Sequence, residues 1–84
     1  MESILVVDDE KNYTAVLDAV LEEEGFETFV ANSGAKALEV IEREEVSLVI
    51  TDMKMPVMDG LALLEKIKRR QPDMPVILMT AHGT

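Results

Sequence analysis

The sequence predicts an α/β protein with a parallel β-sheet, and two observations support this fold class. Short apolar runs without polar alternation recur along the chain, and an amphipathic stretch follows each of the first three. Runs of this kind are typical of parallel strands that are covered on both faces. Because strands alternate with helices, the connections are expected to be right-handed crossovers within one sheet. At 84 residues the chain is sufficient for one domain, for which we expect four strands and three helices.

The first strand is predicted at residues 4–7, a β-branched-rich apolar run that ends at Asp8 and Asp9. A helix is predicted over residues 12–24, and Gly25 follows as the left-handed residue that commonly ends a helix. The apolar residues of this helix recur at helical spacing and are Tyr13, Val16, Leu17, Val20 and Leu21.

The second strand, residues 26–31, alternates poorly and is suited to the edge of the sheet. Ser33 is the predicted side-chain cap of the second helix, because its hydroxyl can accept a hydrogen bond from a free backbone N–H. The stripe that would face the sheet consists of Ala37, Leu38 and Ile41. The third strand, residues 46–51, ends in Asp52.

The third helix is predicted to begin at Asp59 and Gly60, after a loop that contains Pro56. Its acidic start and basic end match the helix dipole, and Pro72 stops it. The apolar residues predicted on its buried side are Leu61, Leu64 and Ile67. The fourth strand, residues 76–79, leads into Thr80.

Composition limits the partners that this segment can have. Lysine and arginine number 8 against 17 acidic residues, so the net charge is −9 and direct contact with nucleic acid is not expected. No cysteine is present, which excludes disulfides and thiolate metal sites. The apolar runs are too short to cross a bilayer and the N-terminus lacks the basic start of a secretory signal. We therefore expect no membrane contact and a cytoplasmic location.

Polar side chains follow three of the predicted strands at the point where each strand ends. Asp8 and Asp9 follow the first, Asp52 the third and Thr80 the fourth. The carboxyl ends of parallel strands meet at one edge of the sheet, where open α/β proteins bind ligands. Carboxylates packed together repel each other unless a cation lies between them, and oxygen ligands alone favour Mg²⁺. A carboxylate beside Mg²⁺ can attack a phosphoryl group, so phosphoryl chemistry is one prediction for this edge.

The motifs at these strand ends form a specific combination. They are Asp8-Asp9-Glu10, the loop DMKMPVMDG at residues 52–60, and the run MTAHG at residues 79–83. Together they resemble the receiver domain of bacterial two-component response regulators over the whole chain. The last run looks most like receivers of the nitrogen-regulation type, which precede an ATPase that activates sigma-54 promoters. The resemblance implies a flavodoxin-like, three-layer fold with strand order 2-1-3-4-5.

The resemblance also implies a role for each matching residue. Asp52 would be the phosphoacceptor, loaded by a sensor histidine kinase. Asp8 and Asp9 would bind Mg²⁺ with Asp52, Asp9 directly and Asp8 partly through water. The backbone carbonyl of Lys54 would be a further metal ligand, and Thr80 the switch hydroxyl that turns toward the phosphoryl group. Such a chain controls transcription through an output domain outside this sequence and is not an enzyme in the usual sense, although its family catalyses its own phosphoryl transfer and hydrolysis.

Family members continue with a fourth helix, a fifth strand and a fifth helix, and the fifth strand carries a lysine that pairs with the phosphoryl group. We therefore expect residues 1–84 to be an incomplete receiver domain, truncated to four strands and three helices. Its fourth strand would then be an edge with unpaired backbone groups, which favours pairing with another chain. A homodimer through the fourth strand or the uncovered sheet faces is the expected consequence.

Two other functions are consistent with these residues. The chain could act only as a folding or dimerising assembly module with a vestigial phosphorylation site. It could also be a Mg²⁺-dependent phosphohydrolase with Asp52 as nucleophile, but a general acid would be expected two residues later, where Lys54 stands. Thr80 could owe its place to β-propensity alone, and His82 fits an exposed loop residue.

Overall fold

The computed structural model describes residues 2–79 and contains the predicted alternation of strands and helices. In chain order the elements are β1 (Ser3–Val7), α1 (Lys11–Glu23), β2 (Glu27–Ala31), α2 (Gly34–Arg43), β3 (Leu48–Asp52), α3 (Gly60–Arg70) and β4 (Val76–Met79). The strands are parallel and lie in the order β2-β1-β3-β4. The predicted fold class, the flavodoxin-like strand order and the edge position of the second strand are confirmed.

Helices cover both faces of the sheet. Leu5 and Val7 of β1 point to one face and pack in a buried cluster with residues of α2 and α3. Ile4 and Val6 point to the other face because side chains alternate along a strand, and they too are buried. α1 contacts β1 and β2 on this second face. Right-handed crossovers place α1 and α2 on opposite faces of the sheet. The reason is that the chain moves across the sheet in one direction from β1 to β2 and in the opposite direction from β2 to β3.

Two helices begin at side-chain caps, Ser33 as predicted and Asp59 where the third helix is predicted to begin. The Ser33 hydroxyl accepts a hydrogen bond from the Lys36 N–H at 3.1 Å, and an Asp59 carboxylate oxygen accepts one from the Ala62 N–H at 2.8 Å. Each cap of this kind stabilises its helix by about 1 kcal/mol. Together they fix the starts of α2 and α3 at the carboxyl edge of the sheet.

α3 buries a different stripe from the predicted one. Leu63 and Ile67 are fully buried, whereas Leu61 is 49% exposed. Gly60 is also buried, because it packs against the backbone at the end of β3. This contact sets the rotation of α3 about its axis, so the prediction for Ile67 is confirmed and the prediction for Leu61 is wrong.

α1 leaves much of its predicted apolar face open. Val16 and Val20 are exposed, and Thr14 is the residue of α1 that is buried. Ile77 of β4 lies on the same face of the sheet, since it pairs through Ile50 with Val6, and it is 49% exposed. We call the exposed residues of this face, Tyr13, Val16, Val20 and Ile77, the α1-side surface. Within residues 2–79, no helix is both long enough and apolar enough to cross a membrane.

Candidate functional site

Three carboxylates meet at the carboxyl edge of the sheet. β1 and β3 are neighbours with Val7 opposite Thr51, so the next residues, Asp8 and Asp52, lie side by side. Asp9 follows Asp8 in the loop that leads to α1. Each carboxylate contributes an oxygen atom, and these oxygens all lie within 4.8 Å of one another. The structure thus brings together three of the predicted site residues.

Burial and mutual repulsion make this cluster electrostatically unfavourable without a counter-charge. Asp8 and Asp52 are buried, whereas Asp9 is exposed. Burial raises the pKa of the Asp8 carboxyl above its ordinary value, and the negative charges of Asp52 and Asp9 raise it further. The hydrogen bond from the Glu10 N–H opposes this rise because it stabilises the charged carboxylate.

Asp8 is held by hydrogen bonds from three directions. Its N–H donates to the Ala31 carbonyl at 3.1 Å, which continues the pairing of β1 with β2. Its carboxylate Oδ1 accepts from the Glu10 N–H at 3.0 Å, and its carbonyl accepts from Asn32 Nδ2 at 2.8 Å. Asp8 therefore has a defined position and orientation.

The loop between β3 and α3 is anchored at both ends. The Met53 N–H donates to the Met79 carbonyl at 3.0 Å, and the Gly60 N–H donates to the Met53 carbonyl at 2.9 Å. Between these anchors Val57 has a φ of 69°, in the left-handed region that β-branched residues rarely adopt, and its side chain is fully exposed. The anchors fix the backbone immediately after Asp52, and between them Met55 is buried while Pro56 and Val57 are exposed.

The sequence also predicts Lys54 and Thr80 at this site. Lys54 is exposed in the β3–α3 loop, where it lines an open groove with Met53, Met55, Pro56 and Asp59. Its backbone carbonyl as a metal ligand stays a prediction. Thr80 and His82 lie outside the described residues.

Asn32 is a residue of this edge that the sequence interpretation missed. It follows β2 directly and hydrogen-bonds the Asp8 carbonyl. The available signal was its position, since a polar residue after the second strand reaches the same edge as Asp8 and Asp52.

The donor set fits a hard divalent cation. Carboxylate oxygens without histidine or cysteine are the ligands that Mg²⁺ and Ca²⁺ prefer, and a small number of them suits Mg²⁺, which keeps several waters. The raised pKa of Asp8 points the same way, because a bound cation would offset the repulsion from Asp52 and Asp9. The arrangement can hold such an ion beside the Asp52 carboxylate.

The strand order β2-β1-β3-β4, with clustered acids at the carboxyl edge, places the chain among flavodoxin-like α/β domains that carry an acidic site at that edge. Residues 4–84 match the family described as the response regulator receiver domain, and the chain belongs to that family. Receiver domains are signalling phosphoacceptors of two-component systems and not conventional enzymes.

Curated relatives include transcription regulators. The chain is 46% identical over 81 residues to the transcriptional regulatory protein GlrR of Escherichia coli (strain K12), covering 96% of this chain and 18% of GlrR. It is 42% identical over 80 residues to the DNA-binding transcriptional regulator NtrC of the same organism, covering 95% of this chain and 17% of NtrC. The predicted likeness to the nitrogen-regulation type is thereby confirmed. This chain spans less than a fifth of the length of these two regulators.

Shorter relatives match as well. Sporulation initiation phosphotransferase F of Bacillus subtilis (strain 168) is 42% identical over 82 residues, covering 98% of this chain and 66% of that protein. The response regulator protein TrrA of Thermotoga maritima, solved in complex with Mg²⁺-BeF, superposes with a TM-score of 0.93 at 40% identity, covering 99% of this chain and 72% of that one. TrrA has also been solved in complex with the histidine kinase ThkA, and there the TM-score is 0.92.

Proposed function

We propose that this chain is a phosphoacceptor switch in which Asp52 receives a phosphoryl group while Asp8, Asp9 and Asp52 hold Mg²⁺. The observation that carries the proposal is the convergence of these three carboxylates, Asp52 from the end of β3 and Asp8 and Asp9 from the loop that follows β1. Buried acids this close together are costly unless a cation or a reaction makes use of them. Two of the three, Asp8 and Asp52, are buried.

Each residue then has a chemical task. An Asp52 carboxylate oxygen attacks phosphorus, the new O–P bond forms an acyl phosphate, and the N–P bond of a phosphohistidine donor breaks as its imidazole leaves and takes up a proton. Asp9, Asp8 and the Lys54 carbonyl would hold the cation together with Asp52, and the family resemblance gives Asp9 the direct contact and Asp8 a contact partly through water. The cation, when bound, neutralises charge on the transferring phosphoryl group. Thr80 supplies the hydroxyl that bonds a phosphoryl oxygen, and water later hydrolyses the acyl phosphate.

The donor that we propose is a sensor histidine kinase, since the structurally similar TrrA has been solved with the kinase ThkA. The names of GlrR and NtrC support control of transcription as the output, exerted through a further domain. The acidic net charge argues against direct contact of these residues with nucleic acid. A cytoplasmic location fits this signalling role.

We further propose that a polypeptide of these 84 residues forms homodimers. Within residues 2–79, β4 pairs with β3 alone, so its other edge presents free backbone groups next to the exposed Ile77. A second copy can pair its own β4 there and bury Ile77 at the same time. Light scattering coupled to size exclusion tests this, and a monomer at micromolar concentration would contradict it.

Phosphorylation is tested with a small acyl-phosphate donor and Mg²⁺, followed by mass measurement of the intact protein. A gain of one phosphate is expected that requires Mg²⁺ and disappears in Asp52→Asn. Asp73→Asn is the matched control, because it removes the same charge from an exposed turn between α3 and β4. A gain that persists in Asp52→Asn, or no gain in a folded protein that binds Mg²⁺, would overturn the assignment of Asp52.

A further inference from the structure

We propose that Asn32 is a positioning residue that holds Asp8 and Asp9 in place for binding of a divalent cation. The proposal rests on the proposed function, because it concerns the same cation site. Asn32 is not one of the clustered acids and carries no charge of its own. Its effect is therefore exerted through the loop that joins β1 to α1.

The Asn32 amide links three elements. Its Nδ2 donates to the Asp8 carbonyl at 2.8 Å and to the Thr14 hydroxyl at 3.2 Å. Asp8 follows β1, Asn32 follows β2, and Thr14 lies in the first turn of α1. One NH₂ group thus joins the ends of two strands to the start of a helix.

Thr14 continues this connection to the far end of the loop. It is only 2% exposed, and its hydroxyl donates to the Lys11 carbonyl at 3.0 Å while accepting from Asn32. The loop is therefore held at Asp8 by Asn32 and at Lys11 by Thr14. Asp9 lies between these two points, so its backbone position follows from both.

The bonds to Asp8 oppose a specific force. Three clustered carboxylates repel each other, and Asp8 and Asp9 belong to the segment that would move away from Asp52 to relieve the repulsion. The end of β2 resists this movement through both backbone groups of Asp8, because Ala31 binds its N–H and Asn32 binds its carbonyl. A cation then meets acids that are already in place and loses less free energy to reorganisation.

The turn that contains Asn32 also contacts the β3–α3 loop, which follows Asp52. A Cβ on Gly34 would lie 2.5 Å from Met58 Sδ, so the Gly34 backbone packs directly on the β3–α3 loop that follows Asp52. Residues 32–34 therefore contact the loop of Asp8 and Asp9 on one side and the loop of Asp52 on the other. Loss of the Asn32 amide is expected to loosen the first of these contacts and leave the second.

The test measures cation affinity directly. Mn²⁺ binding is followed by electron paramagnetic resonance, and Mg²⁺ affinity is obtained by competition. Asn32→Ala is expected to weaken both affinities about three- to tenfold, the equivalent of one hydrogen bond. Asn32→Ser keeps a single donor on a shorter side chain, so its cation affinity is expected to lie between those of Asn32→Ala and the wild type. It replaces Asn32→Ala in the test if that variant folds poorly. Asn12→Ala is the matched control, because Asn12 is the chain's other asparagine and is exposed on α1.

The outcomes separate this inference from the proposed function. Wild-type affinity in folded Asn32→Ala and Asn32→Ser, even with lowered stability, would show that Asn32 is merely structural and would overturn the inference alone. An equal loss in Asn12→Ala would overturn it too. If Asp9→Asn and Asp52→Asn bind Mn²⁺ as tightly as the wild type does, the proposed cation site is overturned together with the inference.

Discussion

Gly60 packs so closely against Asp52 that a Cβ atom on Gly60 would overlap the Asp52 backbone carbonyl oxygen. The same Cβ would lie 2.8 Å from the Met53 Cα. Both neighbours are backbone atoms and cannot rotate away. The start of α3 therefore rests directly on the end of the strand that carries Asp52.

Gly60→Ala is expected to lower the free energy of unfolding by about 1–3 kcal/mol, the usual cost of overpacking. Urea unfolding measures the change. Gly34→Ala is the control, since its Cβ would meet the Met58 side chain, which can change rotamer. Equal losses in the two variants would contradict the explanation by backbone overlap.

Asp8→Asn is expected to stabilise the protein near neutral pH in the presence of a chelator. Burial raises the pKa of Asp8 in the folded protein, and the charges of Asp52 and Asp9 raise it further. At a pH between the unfolded-state and folded-state pKa values, the folded protein therefore binds more protons at Asp8 than the unfolded chain does. The contribution of Asp8 to the free energy of unfolding therefore falls as the pH rises through this window. Below the unfolded-state pKa, Asp8 is protonated in both states and does not destabilise the fold. Asparagine removes the cost and can still accept the hydrogen bond from Glu10.

Chemical denaturation of the wild type and Asp8→Asn at about pH 7 and at about pH 3 measures this effect, because the two values bracket ordinary carboxyl titration. Asp8→Asn is expected to have a higher free energy of unfolding than the wild type at the higher pH, and this difference should disappear at the lower pH. Asp73→Asn controls for the general benefit of removing one negative charge from an acidic chain. The prediction fails if both variants gain equally.

Val57→Gly is expected to raise the free energy of unfolding by about 1 kcal/mol. Val57 adopts a φ of 69°, where glycine has no steric penalty, and its fully exposed side chain contributes no burial. Thermal unfolding measures the gain. Val57→Ala keeps a Cβ and should gain less, so a larger gain in alanine than in glycine would rule out backbone strain as the cause.

Ile77→Lys is expected to shift the proposed homodimer toward monomer. The substitution places a charge on the α1-side surface beside the open edge of β4, where pairing would bury it. Light scattering over a concentration series reports the change. Leu61→Lys is the control, because Leu61 and Ile77 are both 49% exposed and Leu61 lies on α3 rather than on β4. Dissociation by both variants alike would place the interface elsewhere.

The sequence predicted the order of elements because apolar runs, caps and breakers are local signals. Ser33 and Asp59 cap the predicted helices, and Asp8 and Asp52 stand where their strands end. Parallel topology then brings the acids together without further information.

The predictions that failed depend on contacts between distant residues. Leu61 and Leu64 have helical spacing with Ile67, but so do Gly60 and Leu63. The contact of Gly60 with Asp52 selects the second set, which leaves Leu61 exposed and Leu64 half-buried. The burial of Thr14 has the same kind of origin, since its hydroxyl is satisfied by Lys11 and by Asn32, which is 18 residues away. The left-handed backbone conformation of Val57 could not be predicted from the sequence either, because β-branched residues disfavour that conformation.

Tyr13 is the chain's only tyrosine, and the chain has no tryptophan. Its hydroxyl donates to Met79 Sδ at 3.4 Å, so this one ring connects the first turn of α1 to the last residue of β4, which pairs with Asp52. Tyrosine fluorescence from the protein therefore originates at this single ring. The molecule contains its own optical reporter of any separation between α1 and β4, and no dye has to be attached to read it.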